Sequence, residues 1–307
     1  MPRPAPAPED GAPLAILTSG GDAPGMNMAI WAACAEAERH GRRVLGVRDG
    51  FTGLLARRAE PLTVEDTLRW ARRGGTALGT ARVPDLPSRR DEARASLHHL
   101  GVGGLIVVGG NGSLAAAEML ADDAGTVVGV PATIDNDVRG SPASIGFDSA
   151  LEAGVRLADG IRDTGEALPR LFSLETLGGD TGHLAEAIGR AVCADVVLRP
   201  EAPLATEAIV DAVRPVLAAG RAALIVASEG YPDLNAQLAR VSAAVGVRLR
   251  DSRVGHAQRG GAPSPRDRLL ARDLGEEAVR AALEGDACRV VPAHDGGVVR
   301  LRTSAGR

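Results

Sequence analysis

The run Pro131-Ala132-Thr133-Ile134-Asp135-Asn136-Asp137 sets two carboxylates two residues apart, directly after an apolar stretch. In an extended segment residues i and i+2 share a face, so Asp135 and Asp137 are expected to point the same way. Such a pair can divide labour: one carboxylate takes a proton from a hydroxyl, and the other holds a metal directly or through water. Two glycine-rich runs precede it: Thr18-Ser19-Gly20-Gly21-Asp22-Ala23-Pro24-Gly25-Met26-Asn27 and Gly109-Gly110-Asn111-Gly112-Ser113. Each follows an apolar stretch and leads into a helical one. Glycines let the backbone approach a ligand, and the free N–H groups at a helix start attract phosphate. A fourth run, Gly255-His256-Ala257-Gln258-Arg259-Gly260-Gly261, places His and Arg among glycines, with Arg250 just upstream. Arg162 and Arg170 precede another apolar run, and Arg82 closes Gly79-Thr80-Ala81-Arg82. Arginine grips phosphate through paired hydrogen bonds. Glu229 follows the apolar run 222–227, a position from which a carboxylate can hold sugar hydroxyls. Taken singly, each run also reads as a tight connection or a polar loop, and each arginine as a solvated one. Their succession in one chain favours chemistry.

Short apolar runs must present these motifs. Strands are expected at 14–17, 44–47, 104–108, 126–130, 171–174, 195–198 and 222–227. They are apolar on both faces, as buried parallel strands are. Helices are expected between them at 28–40, 113–121, 147–162, 181–194, 206–219, 233–245 and 265–284, and a hairpin at 289–301. The alternation predicts an α/β fold of two three-layer α/β/α lobes with mainly parallel sheets. One lobe spans 14–146 and is completed by 259–291, and the other spans 147–258. Residues 1–13 read as a disordered Pro-rich tail and 292–307 as a hairpin and tail. Most motifs follow a strand directly, where open α/β sheets bind ligands.

The 307 residues are 45% hydrophobic, enough for two cores, yet only 2% aromatic, so Ala, Val and Leu must fill them. A formal charge of −4 argues against nucleic-acid binding driven by bulk electrostatics. Cys34, Cys193 and Cys288 show no Cys-x-x-Cys spacing, which points away from a structural zinc and toward a reducing cytoplasm. No apolar run reaches the roughly 18 residues of a membrane span, and no signal peptide is evident. The expected partner is a small molecule, with no nucleic acid and no membrane.

The chain resembles the bacterial 6-phosphofructokinase family from about residue 14 to about residue 291. Thr18–Asn27 matches the family's opening motif unchanged, Thr133–Asp137 its catalytic motif, and Gly255–Gly261 its His-x-Gln-Arg-Gly-Gly motif. The resemblance implies two Rossmann-like lobes, the first binding nucleotide and the second sugar phosphate. It implies phosphorylation of the 1-hydroxyl of fructose 6-phosphate, or of a closely related ketose phosphate such as sedoheptulose 7-phosphate, with ATP and Mg2+. Asp135 is then the general base, Thr133 contacts the sugar or the transferring phosphate, and Asp137 supports base and metal. Gly21, Phe51, Arg82, Gly110, Asn111, Gly112 and Ser113 match nucleotide-side positions, Phe51 standing where a Tyr is frequent. Arg170, Leu177, Gly178, Glu229, Arg250, His256 and Arg259 match sugar-phosphate positions. In this family the equivalents of Arg170 and Arg250 reach in from a neighbouring subunit, which implies a homotetramer or dimer. Gly112 and Ala132 match the ATP users, since pyrophosphate users carry Asp and Lys there.

Three departures qualify the match. Asn111 stands where the family has an Asp that assists Mg2+, and Gly179 where it has an Arg near the transferred phosphate. Both changes remove charge from a site that must stabilise charge. An impaired, sugar-phosphate-binding regulatory paralogue is therefore the alternative to a kinase, and retention of Asp135 argues against it. Arginines that line the family's effector site fall on Trp31 and Ala35, while Arg162 and Arg221 match other effector-site cations. Regulation by ADP or phosphoenolpyruvate is accordingly expected to be weak or absent, and a strong shift of the sugar saturation curve by either ligand contradicts that expectation.

Overall fold

The computed structural model describes residues 11–121, 126–168 and 170–302. Most of the tail expected at 1–13, and residues 303–307 of the one expected at the C-terminus, lie outside the described residues. The first stretch of chain runs β1 (Leu14–Ser19), α1 (Met26–Arg39), β2 (Val44–Val47), α2 (Gly50–Leu55), β3 (Ala59–Leu62), α3 (Val64–Trp70), α4 (Arg90–Leu100), β4 (Gly104–Gly109), α5 (Asn111–Ala121) and β5 (Thr126–Pro131). It continues with α6 (Phe147–Ala167), β6 (Leu171–Thr176), α7 (His183–Ala191), β7 (Val196–Leu198), α8 (Thr206–Ala218), β8 (Ala223–Ser228), α9 (Leu234–Val245) and β9 (Leu249–Arg253). It closes with α10 (Pro265–Leu283), β10 (Cys288–Pro292) and β11 (Val298–Arg302).

Two sheets result. The first has the order β11-β10-β5-β4-β1-β2-β3 and the second β7-β8-β6-β9. The second is parallel throughout. The first is parallel except where β3 pairs with β2 and β11 with β10. The described residues form two compact units around them: those up to 133, 138–146 and from 260 on, and those within 134–137 and 147–259. Every residue of β1, β4 and β8 is buried, because these strands are apolar or small on both faces. Their backbone polar groups are met by the ladder, and side-chain burial supplies the driving force.

Small residues do the work that aromatics do elsewhere. In α1, Ala29, Ala32, Ala33 and Ala37 are buried. A Cβ at Gly275 of α10 would lie 2.6 Å from the Ala29 carbonyl, so the two helices meet backbone against backbone. In the second unit Leu171, Ile209, Val213, Ile225, Leu238 and Val241 form the core beneath α8 and α9.

The structure corrects several sequence expectations. β9 (LRDSR) and β3 (AEPL) were not expected as strands, because neither has an apolar run, and both lie at sheet edges where polar side chains reach water. α5 begins at Asn111 rather than 113, and α7 covers 183–191 rather than 181–194. Residues 134–137 pack with the second unit, and the 288–302 hairpin extends the first sheet through β5–β10 pairing.

Gly25 precedes α1 with φ +107°, and a Cβ there would lie 2.6 Å from Ile145 Cγ2. Gly25→Ala combines backbone strain with overpacking, at a cost of about 2–3 kcal/mol. A thermal melt is expected to show Tm lower by ~5 °C or more, and an unchanged Tm contradicts this reading of the turn.

Candidate active site

In the first unit, parallel register aligns the ends of three strands. Ser19 pairs with Gly109, and Gly109 with Pro131. The loops that follow are therefore neighbours: Gly20–Gly21, Gly110–Ser113 and Ala132–Thr133, with the Ala132 N–H donating to the Gly109 carbonyl at 2.9 Å. The Thr18 hydroxyl donates to the Gly79 carbonyl and the Thr80 hydroxyl to the Gly20 carbonyl, at 2.8 and 2.7 Å. These bonds lay the Gly79–Arg82 segment against the first glycine turn and leave the Arg82 side chain exposed. Asn27 is buried; its Oδ1 accepts from the Ala77 N–H at 2.7 Å and its Nδ2 donates to the Arg73 carbonyl at 3.1 Å. The two ends of the opening motif thus brace a loop.

Asn111 and Gly112 are exposed in the first turn of α5, where free N–H groups and the helix dipole favour an anion. No atom lies within 4 Å of a Cβ built at Gly112. Ser113 beside them is buried, and the Ser144 hydroxyl donates to the Thr133 carbonyl at 2.7 Å. Phe51 departs from expectation. It is 2% exposed, packed with Leu54, Leu55 and Leu86 in the core, so its ring is not presented to a ligand.

In the second unit a second set of loop residues gathers past β6 and β8, whose ends pair Thr176 with Ser228. The Gly179 N–H donates to Glu229 Oε1 at 3.0 Å. The Cβ position of Gly179 is 3.6 Å from Asp135 Oδ2, which places the Asp135 carboxylate beside the Leu177-Gly178-Gly179 turn. Gly179 adopts φ +58°, a left-handed conformation that an arginine would occupy under strain. Gln258 is fully buried; its Oε1 accepts from the Leu177 N–H at 2.8 Å and its Nε2 donates to the Ala150 carbonyl at 3.1 Å. That double bond ties the Gly255–Gln258 turn to the end of β6, with His256 exposed and Arg259 half-buried on it. The expectation of an extended Asp-x-Asp segment is overturned: Ile134 and Asp135 form a turn, and Asn136 is left-handed at φ +50°.

Arg170 and Arg250 lie at the opposite end of the same sheet. Leu171 pairs with Leu249 and Phe172 with Arg250. Arg170 and Arg248 therefore stand side by side at the strand starts, and Arg248 shares a strand face with Arg250. Repulsion from Arg248, with smaller contributions from desolvation and from Arg170, pulls the Arg250 guanidinium below its usual range. None of the three pairs with a carboxylate among the described residues, and Arg170 Nε is buried without a hydrogen-bond partner among them. β6 separates this edge from Gly178 by six residues, or about 20 Å at the rise of a strand. Arg248 was missed from sequence; its i, i+2 spacing with Arg250 was the available signal. His183 and Gln258 were missed as well. Of the effector-type residues, Arg162 pairs with Asp195 at 3.5 Å and donates to the Val192 carbonyl, and Arg272 lies over the Trp31 ring at 5.9 Å.

The comparisons with known proteins agree with this layout. The phosphofructokinase family model matches residues 13–282. ATP-dependent 6-phosphofructokinase 1 of Thermus thermophilus is 39% identical over 278 residues, covering 89% of this chain and 86% of the relative. The ATP-dependent 6-phosphofructokinase of Bacillus subtilis is 38% identical over 281 residues, covering 91% and 88%. The crystal structure of Pichia pastoris phosphofructokinase in the T-state superposes with a TM-score of 0.89 at 29% identity, covering 95% of this chain and 37% of that much longer one. The fold is the phosphofructokinase fold, and the chain belongs to the phosphofructokinase family. Among the described residues, no helix is long and apolar enough to cross a membrane.

Glu201 accepts from the Gly182 N–H at 2.8 Å, at the start of α7. Burial alone raises its carboxyl, but that bond and the charges of His183 and Arg199 outweigh it and hold the group below its ordinary value. A depressed carboxyl stabilises the fold above its unfolded pKa of about 4.3 and loses that contribution as pH falls through its folded value. Glu201→Gln keeps the acceptor and removes the charge. Its Tm is expected to lie below wild type at pH 7 by the small margin of an exposed charge, with the two converging as pH falls through the folded value of the Glu201 carboxyl. A gap that persists or widens in acid contradicts the assignment.

Proposed function

We propose that this protein transfers the terminal phosphoryl group of ATP to the 1-hydroxyl of fructose 6-phosphate. The observation that carries the assignment is the Asp135 carboxylate beside the Gly178–Gly179 turn to which Glu229 also bonds, in a chain of the phosphofructokinase family. Asp135 takes the proton of the sugar hydroxyl as its oxygen bonds to the γ-phosphorus, and the bridging oxygen leaves with ADP. Thr133 contacts the reacting groups. Leu177, Gly178, Glu229, His256 and Arg259 hold the sugar. Gly21, Arg82, Gly110, Asn111, Gly112 and Ser113 receive the nucleotide, and the open space at Gly112 suits ATP rather than pyrophosphate.

Among the described residues, no three His, Cys, Asp or Glu side chains gather as a metal cage. Mg2+ binds through one or two protein oxygens together with substrate phosphates and water, so Asn111, exposed in the first turn of α5, suits an ion delivered with the nucleotide, and the family resemblance makes Asp137 the second candidate. When bound, it neutralises phosphate charge. Asn111 offers a neutral oxygen where a carboxylate would bind the ion more tightly.

Arg170 and Arg250 stand a strand's length from Asp135 within the second unit. They therefore complete the sugar-phosphate site of a neighbouring copy, and Arg248 joins them there. A homotetramer or dimer follows, in the cytoplasm, where the free Cys34, Cys193 and Cys288 stay reduced.

The test is ADP release with ATP, Mg2+ and fructose 6-phosphate. Turnover is expected within the ~1–100 s⁻¹ of kinases, and Asp135→Asn is expected to lower it by ~10²-fold or more. Asn111→Asp is expected to raise kcat and lower the Mg2+ requirement. Gly179→Arg is expected to lower Tm through strain at φ +58°. Absence of turnover with fructose 6-phosphate still bound contradicts the proposal.

A further inference from the structure

His183 heads α7, and its ring lies against the loop that carries Asp135. Nδ1 is 3.3 Å from the Asp135 carbonyl oxygen and 3.1 Å from that of Asn136. Both partners are carbonyls, which only accept, so Nδ1 carries the proton and donates to the two in a forked bond. Asn136 sits at φ +50°, a conformation that costs free energy and persists only where its surroundings hold it. Residues 134–137 pack with the second unit, while the residues on either side of them belong to the first. The base is thus carried on a four-residue crossing whose direction depends on what ties it down. Gly179 has no side chain with which to do so. The backbone just before His183 is held, because the Gly182 N–H donates to Glu201, while the His183 ring lies at the surface.

We infer that His183 is a positioning residue for phosphoryl transfer: its Nδ1–H fixes the Asp135 and Asn136 carbonyls and thereby aims the Asp135 carboxylate. It acts through the backbone of the loop and not on the substrate. The inference rests on Asp135 being the base.

Three variants separate aiming from helix stability. His183→Asn keeps an N–H donor at the level of Nδ1, and His183→Asp puts an acceptor there against two carbonyls. Both residues suit a helix start, Asp the better because its charge opposes the dipole. A role confined to α7 therefore makes the Asp variant at least as good as the Asn variant. Loss of one forked bond is worth roughly 3–10-fold. His183→Ala is expected to lower kcat by about that factor, with KM for ATP unchanged. His183→Asn is expected to recover most of the loss. His183→Asp is expected to fall at least as low as the Ala variant, although its Tm is no lower. Wild-type kcat in His183→Ala, or a kcat in His183→Asp equal to that of His183→Asn, overturns the inference. Asp135→Asn measured alongside separates the two levels. If it retains wild-type kcat, the assignment of the base fails; if it loses kcat while the His183 variants do not, only the role of His183 fails.

Discussion

A parallel strand buried on both faces can expose polar chemistry only at its ends, and the register of such strands decides which ends meet. That constraint organises both units. In the first, Ser19, Gly109 and Pro131 stand abreast, so three loops separated by about 110 residues of sequence at the extremes become neighbours. Two of them lead into helices whose N-termini favour anions. The polar residues between them, Thr18, Thr80 and Asn27, are spent on bracing the loops. Small side chains complete the arrangement, because helices with Ala and Gly at their contact approach closely enough to keep the strand ends in line.

The same constraint in the second unit separates rather than gathers. Asp135, Glu229 and the Leu177–Gly179 turn collect past the ends of β6 and β8, while Arg170, Arg248 and Arg250 collect where β6 and β9 begin. Arginines at one edge of a sheet cannot serve a carboxylate at the other. These three cations pair with no carboxylate among the described residues; Arg248 is exposed and Arg170 and Arg250 are half-buried, and under the proposed function they receive an anion. Under the proposed function, a second copy of the chain supplies that anion's remaining contacts.

Much of this was legible in the sequence. The central strands announce themselves as apolar runs, and the motifs that follow them fall where α/β sheets bind ligands. What the sequence hid has physical causes. β9 reads as charged because it is an edge strand, so its apolar content is low. Phe51 was expected on the nucleotide side because the family resemblance puts it there, whereas burial claims it for the core. The Asp-x-Asp pair was expected to be extended, but Asn136 accepts a left-handed conformation that a two-residue periodicity cannot register. His183 acts through a partner 47 positions away along the chain, and no local pattern marks it; Gln258 lies within a quoted motif, but its bond to the Leu177 N–H, 81 positions away, is not legible there.

The claim on which the account turns is that one copy's arginines complete another copy's Asp135 site. Co-expression of an Asp135→Asn chain with an Arg250→Gln chain, each carrying its own affinity tag, tests it. A hybrid isolated through both tags contains a site with an intact Asp135 and a neighbouring intact Arg250. The account expects phosphoryl transfer to fructose 6-phosphate in the hybrid well above that of either parent at low sugar concentration. A hybrid no more active than its parents, or an Arg250→Gln parent with the wild-type KM for the sugar, contradicts it.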